Sequence, residues 1–435
     1  QKDFHIIILD TPERRKIMAS DDYKDIFCCI RCAACLNVCP AFRLVGGHVY
    51  GGNIYTGGIG TLLTSFLNSR ERGKDIQNIC LQCGTCNTVC GGKLPISNMI
   101  LKLRTKYAQE DGLNPVHKFC LDTVADRHLF HSMLRIASVA QGMITQGQPM
   151  IRHLPMFLSG LTAGRSLPSV APQPFRDILP TIQQHVPNPK GKIAIFTGCL
   201  LDFVYVDIAT AVVKALNMAG YIVEMPLEQA CCGAPATYMG DVDNAKKAAV
   251  MNIEAMHAED YDYIVSACPT CTHALRDYKD MFEDDPEMYK KAEELCYKTF
   301  DFSKLLSMLG GLPDNGDGVP MKVTYHDSCH MKRFMGVYKE QRELLEGTQG
   351  VELIEMNNCD KCCGFGGSYS VKFPEMSAPI LEEKIDNVVA SGADVVAVDC
   401  PGCLLQIRGG LDARGLHNIQ VKHTAQILVE KRPNQ

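Results

Sequence analysis

A five-cysteine pattern that occurs twice constrains this chain more than any other feature. Cys329, the adjacent pair Cys362-Cys363 and Cys400-Pro401-Gly402-Cys403 make one copy. Cys199, Cys231-Cys232 and Cys268-Pro269-Thr270-Cys271 make the other. Neighbouring side chains on a strand point to opposite faces, so a cysteine pair aimed at one object must sit in a tight loop. The glycines that follow, Gly364, Gly366 and Gly367 in one copy and Gly233 in the other, let the backbone fold closely around something bulky. Used twice, the constellation reads as two metal-cluster sites built into the chain.

At 435 residues the chain exceeds one ordinary core, so two or three domains are expected. A net charge of −5 without a basic tract gives no sign of a nucleic-acid partner. No apolar run is long enough to span a bilayer, and the N-terminus lacks a signal pattern. Twenty-two cysteines in a large chain that is 46% hydrophobic do not suit a disulfide scaffold; metal–thiolate ligation in a reducing cytoplasm suits them better. The first residue is Gln, followed by an apolar run from His5 to Leu9. That run reads as a strand parted from a preceding domain, and the chain as a processed or partial form.

The first chemical motif in chain order is Cys29-Ile30-Arg31-Cys32-Ala33-Ala34-Cys35-Leu36-Asn37-Val38-Cys39-Pro40, a C-x2-C-x2-C-x3-C-P run. Cys80, Cys83, Cys86 and Cys90 form a second run, with Gly91 in place of the proline, which is delayed to Pro95. Zinc sites commonly use C-x2-C pairs set far apart, not four thiols inside eleven residues. Both runs are similar to the bacterial ferredoxin motif. That similarity implies two [4Fe–4S] cubes with crossed ligation: Cys29, Cys32, Cys35 and Cys90 on one, and Cys80, Cys83, Cys86 and Cys39 on the other. Cys28 is a substitute ligand or a buried spare thiol. The glycine-rich insertion Gly46 to Gly60 lacks the strand-then-helix context of a nucleotide fingerprint and reads as close backbone packing around the clusters.

Helical spacing runs through Ile96 to Tyr107, Val116 to Ala125 and Leu129 to Met143. Met150 to Leu158 is apolar and basic enough to lie on a membrane surface or a partner, or is a packed linker. Residues 166–190 read as a connector. Beyond it lies an internal repeat, 192–300 and 322–430. Lys192 to Phe196 parallels Lys322 to His326, Tyr221 to Met225 parallels Val351 to Glu355, and Tyr263 to Ala267 parallels Asp394 to Val398. Helical segments alternate with these runs at Val206–Ala219, Val242–Ala258 and Pro379–Ser391. The order β-α-β-α-β predicts small parallel sheets with the cysteines beyond the carboxyl ends of their strands. The expected class is α/β plus α-helical. A two-cluster ferredoxin-like domain (1–110) and a helical linker (111–190) precede two βαβ cysteine-rich modules (191–310 and 320–435).

Both repeats resemble the CCG module of heterodisulfide reductase catalytic subunits. The whole layout resembles the iron–sulfur subunits of glycolate and lactate oxidation systems and of anaerobic glycerol-3-phosphate dehydrogenase. Cys29 to Cys39 and Gly46-Gly47-His48-Val49-Tyr50-Gly51 carry the likeness at one end, resembling the C-terminal part of a lactate-utilisation iron–sulfur protein. Cys362 to Pro374 carries it at the other, resembling the same systems' cysteine-rich partner, so the chain looks like a fusion lacking an N-terminal domain. The resemblance implies a noncubane [4Fe–4S] cluster on Cys199, Cys231, Cys232, Cys268 and Cys271. It implies another on Cys329, Cys362, Cys363, Cys400 and Cys403. At either site an ordinary cube with one idle thiol is the alternative. Cys120, Cys296 and Cys359 fall outside the motifs and read as buried structural thiols, with Cys359 a possible substitute ligand. His326 and His330 flank Cys329 and could donate hydrogen bonds to cluster sulfur or relay protons, or simply be packed or solvated.

Two functions follow from the resemblance. One is an electron-transfer oxidoreductase subunit, passing electrons from a flavoprotein that oxidises lactate or glycolate through the cubes and the cysteine-rich half to a quinone or other carrier. Other subunits would join it, and it would sit in the cytoplasm or peripherally on the membrane's cytoplasmic face. The other is a heterodisulfide reductase-like subunit that cleaves a disulfide at a noncubane cluster.

Overall fold

The computed structural model describes residues 3–8, 10–142, 150–152, 162, 164–313 and 316–432. The chain divides into two compact units, Gln1–Gly112 with Tyr238–Gly240, and Leu113–Thr237 with Asp241–Gln435.

The first unit is helical. Helix α1 (Gly57–Leu67) and helix α2 (Ile96–Asp111) carry its core. Ile96, Met99, Ile100, Leu103 and Tyr107 recur at helical spacing and pack with Ile59, Leu62, Leu63, Tyr23 and Ile26. The glycine-rich insertion opens α1, where Gly57, Gly58 and Gly60 are buried. A Cβ on Gly58 would lie 3.1 Å from Cγ2 of Ile96, so this stretch does serve close packing. Against the same core lie Cys29, Cys35, Cys80, Cys86 and Cys90. The expected strand at His5 to Leu9 does not form. Residues 3–8 have no regular structure, Leu9 lies outside the described residues, and Ile6, Ile7 and Ile8 are exposed. An apolar run without a neighbouring strand has no partners for its backbone groups.

The second unit begins with two helices, α3 (Pro115–Ala125) and α4 (Arg127–Ala140). Each has a side-chain cap: Asn114 accepts from the Val116 amide and Asp126 from the Leu129 amide, both at 3.0 Å. Met150–Ile151 pairs antiparallel with Leu167–Pro168, and Arg152 is held by Asp412 at 2.8 and 3.0 Å. The rest of the expected surface-binding stretch, from His153 on, lies outside the described residues. The 166–190 connector is tied down at its end. The side chain of Gln184 exchanges two 2.8 Å hydrogen bonds with the backbone of Val223 and so covers a sheet edge.

Two four-stranded parallel sheets follow. The first comprises β1 (Gly191–Ile195), β2 (Tyr221–Glu224), β3 (Tyr263–Ser266) and β4 (Thr299–Asp301), in the order β2-β1-β3-β4. The second comprises β5 (Met321–Tyr325), β6 (Val351–Leu353), β7 (Val395–Ala397) and β8 (Gln420–Lys422), in the order β6-β5-β7-β8. Registers match as well: Ile193 pairs with Val223 and Tyr263, and Val323 pairs with Leu353 and Val395. Ile193, Ala194 and Ile195 are fully buried, as a central parallel strand covered on both faces requires. Each such isoleucine contributes roughly 1.5–3 kcal/mol by leaving water.

The repeat, its six expected strands and its helices are all present, including α5 (Val206–Met218), α6 (Val242–Met256) and α9 (Pro374–Ser391), the last longer than expected. Between them come α7 (Pro269–Asp277) and α8 (Pro286–Lys298), and after α9 come α10 (Pro401–Ala413) and α11 (Thr424–Glu430). What differs is a fourth strand in each module, β4 and β8. Three residues long, these show no alternation that could mark them in sequence. The two modules join through α5 and α11, where Gln426 donates to Asp207 at 2.8 Å, and through Ser303, which donates to Asp399 at 2.6 Å.

Candidate iron–sulfur sites

In the first unit the two cysteine runs fold alike. Arg31 and Ala33 have φ of 58° and 62°, and Gln82 and Gly84 have 59° and 70°, so left-handed residues stand at matching places between the thiols. A short helix follows each, Ala34–Asn37 and Thr85–Thr88. This backbone turns the close thiols of each run toward one another, with Cys32 exposed and Cys29, Cys35, Cys80, Cys83 and Cys86 half-buried. Cys35 is faced by Cys29, Cys90 and Cys32, whereas Cys86 is faced by Cys80, Cys83 and Cys39 and, more weakly, by Cys35 of the other group. The two expected groups of four thus come together, each completed by the distant cysteine of the other run. Burial raises Cys35 and pushes Cys39 up to about 12. Thiols so placed ionise readily only when a cation takes the proton's place.

In the second unit every motif cysteine lies beyond a strand's carboxyl end. Cys199 and Cys329 follow β1 and β5, and Cys268 and Cys400 follow β3 and β7. The last two are the N-cap residues of α7 and α10, each with proline at the first helical position. The helix starts then place the second cysteine of each CxxC one turn further on. After each cysteine pair the chain reverses at a left-handed glycine, Gly233 (φ 74°) and Gly364 (φ 86°). A Cβ on Gly364 would come within 2.7 Å of the Ser377 carbonyl, so only glycine fits.

The five thiols of each module touch in sequence. Cys199 meets Cys231, Cys231 meets Cys232, Cys232 meets Cys271, and Cys271 meets Cys268. In the other module Cys329 meets Cys362, Cys362 meets Cys363, Cys363 meets Cys403, and Cys403 meets Cys400. The second cysteine of each pair is the hub. Hydrogen bonds from Cys231 and then Cys271 bring Cys232 down to about 6, and those from Cys362 and Cys403 bring Cys363 down to about 5. Ten buried or nearly buried thiols in two contiguous chains are a soft donor set suited to iron–sulfur clusters.

The two sites differ in what surrounds them. Arg333 Nη1 lies 3.3 Å from the sulfur of Cys329, within the single π-helical turn His330–Phe334. Lys384, buried on α9, donates to the carbonyls of Asn358 and Cys359 at 2.7 and 3.2 Å. His326 is fully buried, with Nδ1 3.1 Å from the Cys359 carbonyl. The first module has neutral groups instead: buried Phe196 after β1, and Asn252 on α6, bonded to the Cys231 carbonyl at 3.0 Å. Between the sites stands Thr270. Its hydroxyl lies 3.3 Å from His330 Nδ1 and donates to Cys400. Sequence reading passed over Thr270, Arg333 and Lys384. A signal for the first existed, since Thr270 stands in one CxxC where Gly402 stands in the other.

The cysteines outside the motifs correct one expectation. Cys28 and Cys120 are exposed, not buried. Cys120 shares the outer face of α3 with exposed Val116 and Phe119, and Cys28 ends the short helix Lys24–Cys28, directly before Cys29. Cys296 and Cys359 are half-buried. Cys359 does not join the thiol chain: its sulfur is 3.4 Å from Asp327 Oδ2, in a network with Arg342. His330 stacks on Phe334 with centroids 5.3 Å apart.

Comparison with known proteins agrees with this geometry. The cysteine-rich (CCG) domain family matches residues 193–276 and 323–408, and the 4Fe-4S dicluster domain family matches residues 25–94. The chain is 30% identical over 428 residues to a "Probable glycolate oxidase iron-sulfur subunit" of Bacillus subtilis, covering 94% of each chain. It is 40% identical over 240 residues to "Lactate utilization protein A" of Shouchella clausii, covering 55% of this chain and 99% of that one. A crystal structure of a hypothetical protein from Helicobacter pylori shares the fold, with a TM-score of 0.53 at 10% identity over 98% of this chain and 74% of that one. An oxidoreductase-associated electron-transfer role goes with these relatives, and the chain belongs to the family of glycolate oxidase iron–sulfur subunits.

Proposed function

We propose that this chain carries electrons from a flavoprotein partner oxidising a 2-hydroxy acid of the lactate or glycolate type to a quinone or another carrier. The observation that carries the reading is the pairing of two four-thiol groups with two five-thiol chains in one polypeptide. Cys29, Cys32, Cys35 and Cys90 would hold one cube, and Cys80, Cys83, Cys86 and Cys39 the other. Cys199, Cys231, Cys232, Cys268 and Cys271 would hold a third cluster, and Cys329, Cys362, Cys363, Cys400 and Cys403 a fourth, noncubane where all five thiols bind. One-electron carriage is the chemistry such clusters supply when bound. The protein's part is to bury the thiols, fix their spacing and set the charge around them. A cytoplasmic or peripheral location fits, in that no described helix is long and apolar enough to cross a membrane.

A second reading, disulfide reduction at a cysteine-rich site, is favoured by one observation: both modules keep all five thiols in one unbroken chain of contacts. One experiment separates the two. The anaerobically reduced protein is mixed with a heterodisulfide, and separately the oxidised protein is mixed with lactate or glycolate and the candidate flavoprotein. Cluster reduction in the second mixture, with no disulfide turnover in the first, is expected. Steady disulfide turnover by this chain alone would overturn the carrier reading.

A further inference from the structure

We infer that His326 is a nitrogen ligand at the second cysteine-rich site, where its Nε2 joins the sulfurs of Cys363 and Cys403 on one iron. The inference rests on the iron–sulfur reading above and adds a donor of a different class to it.

A ring nitrogen of His326 and the sulfurs of Cys363 and Cys403 all lie within 4.8 Å of one another, all three residues are buried, and with Nδ1 turned to the Cys359 carbonyl the nitrogen free to ligate is Nε2. Nε2 has no hydrogen-bond partner among the described residues. An orphaned nitrogen in a fully buried ring calls for a physical reason. The other nitrogen supplies the direction. Nδ1 lies 3.1 Å from the carbonyl oxygen of Cys359, which can only accept, so Nδ1 carries the ring proton. Lys384 donates to that same carbonyl at 3.2 Å, and a cation so close disfavours a second positive charge on the ring. The imidazole is therefore neutral, and Nε2 presents its lone pair to two sulfurs.

That arrangement excludes one role and favours another. A lone pair cannot donate a hydrogen bond to cluster sulfur, so the donor role expected from the sequence does not hold for Nε2. Once both sulfurs are thiolates, the lone pair is repelled unless a cation stands between them, and a metal ion is such a cation. An N–H turned to a backbone carbonyl is also the usual way a protein fixes the tautomer and orientation of a ligating histidine. On ligation a cysteine that still carries its proton gives it up and the imidazole gives up none, so one iron gains two thiolates and a neutral donor.

The first module cannot do this. Phe196 occupies the matching position after β1, buried and without a donor atom. The two sites thus differ in ligand class. A neutral imidazole in place of a thiolate raises a cluster's reduction potential, as in Rieske centres. The second site then holds an electron in preference to the first.

The test uses the full-length protein, isolated anaerobically with its clusters, from cells supplied with natural or ¹⁵N-labelled histidine. Pulsed EPR should detect a directly bonded nitrogen whose coupling changes from the ¹⁴N to the ¹⁵N pattern on labelling. The signal should persist in His330→Asn and vanish in His326→Phe, which copies the first module. If His326→Phe fails to fold, the labelling result in the parent protein decides alone. A second site filled with iron but showing no histidine nitrogen, or a coupling unchanged in His326→Phe, overturns the ligand assignment only. An intact protein that retains no iron on the second module's cysteines overturns the iron–sulfur reading itself.

Discussion

The hydroxyl of Thr270 in the first module lies 3.3 Å from Nδ1 of His330, which follows Cys329 of the second. The hydroxyl proton goes to the Cys400 sulfur. One side chain therefore touches both cysteine-rich sites. Donors aimed at a cluster's sulfur stabilise its reduced, more negative form. Thr270→Val keeps the shape and removes the donor. The potential of the second-site cluster should fall by about 60–130 mV, since a hydrogen bond to a charged group is worth about 1.5–3 kcal/mol. EPR-monitored redox titration reads the shift, and an unchanged or raised potential would refute the bridge's role.

Asp301, at the end of β4, gives a pH dependence of defined sign. One oxygen caps the helix Phe302–Met308, accepting from the Ser303 amide at 2.9 Å, while the other is buried without a hydrogen-bond partner among the described residues. Burial, then the nearby Asp399, push its carboxyl well above the usual carboxylate range. An acid raised on folding adds stability below its unfolded value near 4, and that stability is lost as pH climbs toward the folded value. Asp301→Asn retains the cap and cannot titrate. Its melting temperature should exceed the parent's by a few degrees at pH 8, with the gap closing toward pH 4. A gap that does not vary with pH would show that Asp301 is not the titrating group.

Ala33 stands at φ 62°, where the second cysteine run has Gly84 at φ 70°. A left-handed alanine costs about 1–2 kcal/mol, and glycine avoids that at a smaller entropic cost. Ala33→Gly should therefore stabilise the first unit by up to about 1 kcal/mol and leave its visible absorption unchanged. Thermal melts of holoprotein measure this. A destabilised variant would mean that the alanine methyl makes a contact worth more than the strain.

Much of this was legible in the sequence because the cysteine spacings and the two repeats are regular. Lys192 to Phe196 and Lys322 to His326 align residue for residue, and both become central strands. That alignment already sets Phe196 against His326, the difference on which the unequal sites turn. Other features depend on what each stretch meets after folding. Thr299–Asp301 becomes a strand because Ile264 to Ser266 offers it an edge, whereas His5 to Ile8 meets no such edge. The Thr270 bridge depends on the docking of one module against the other, which no local pattern encodes. Nor could spacing tell that Cys359 is held by Asp327 rather than by the thiol chain.

The central claim is that the eighteen motif cysteines are occupied by iron. Quantifying metal and acid-labile sulfide in the anaerobically purified full-length chain tests it most directly. The expected result is about sixteen iron atoms per chain with matching sulfide and no stoichiometric zinc, as four [4Fe–4S] clusters require. Stoichiometric zinc, or iron sufficient for only a single small cluster, would contradict it.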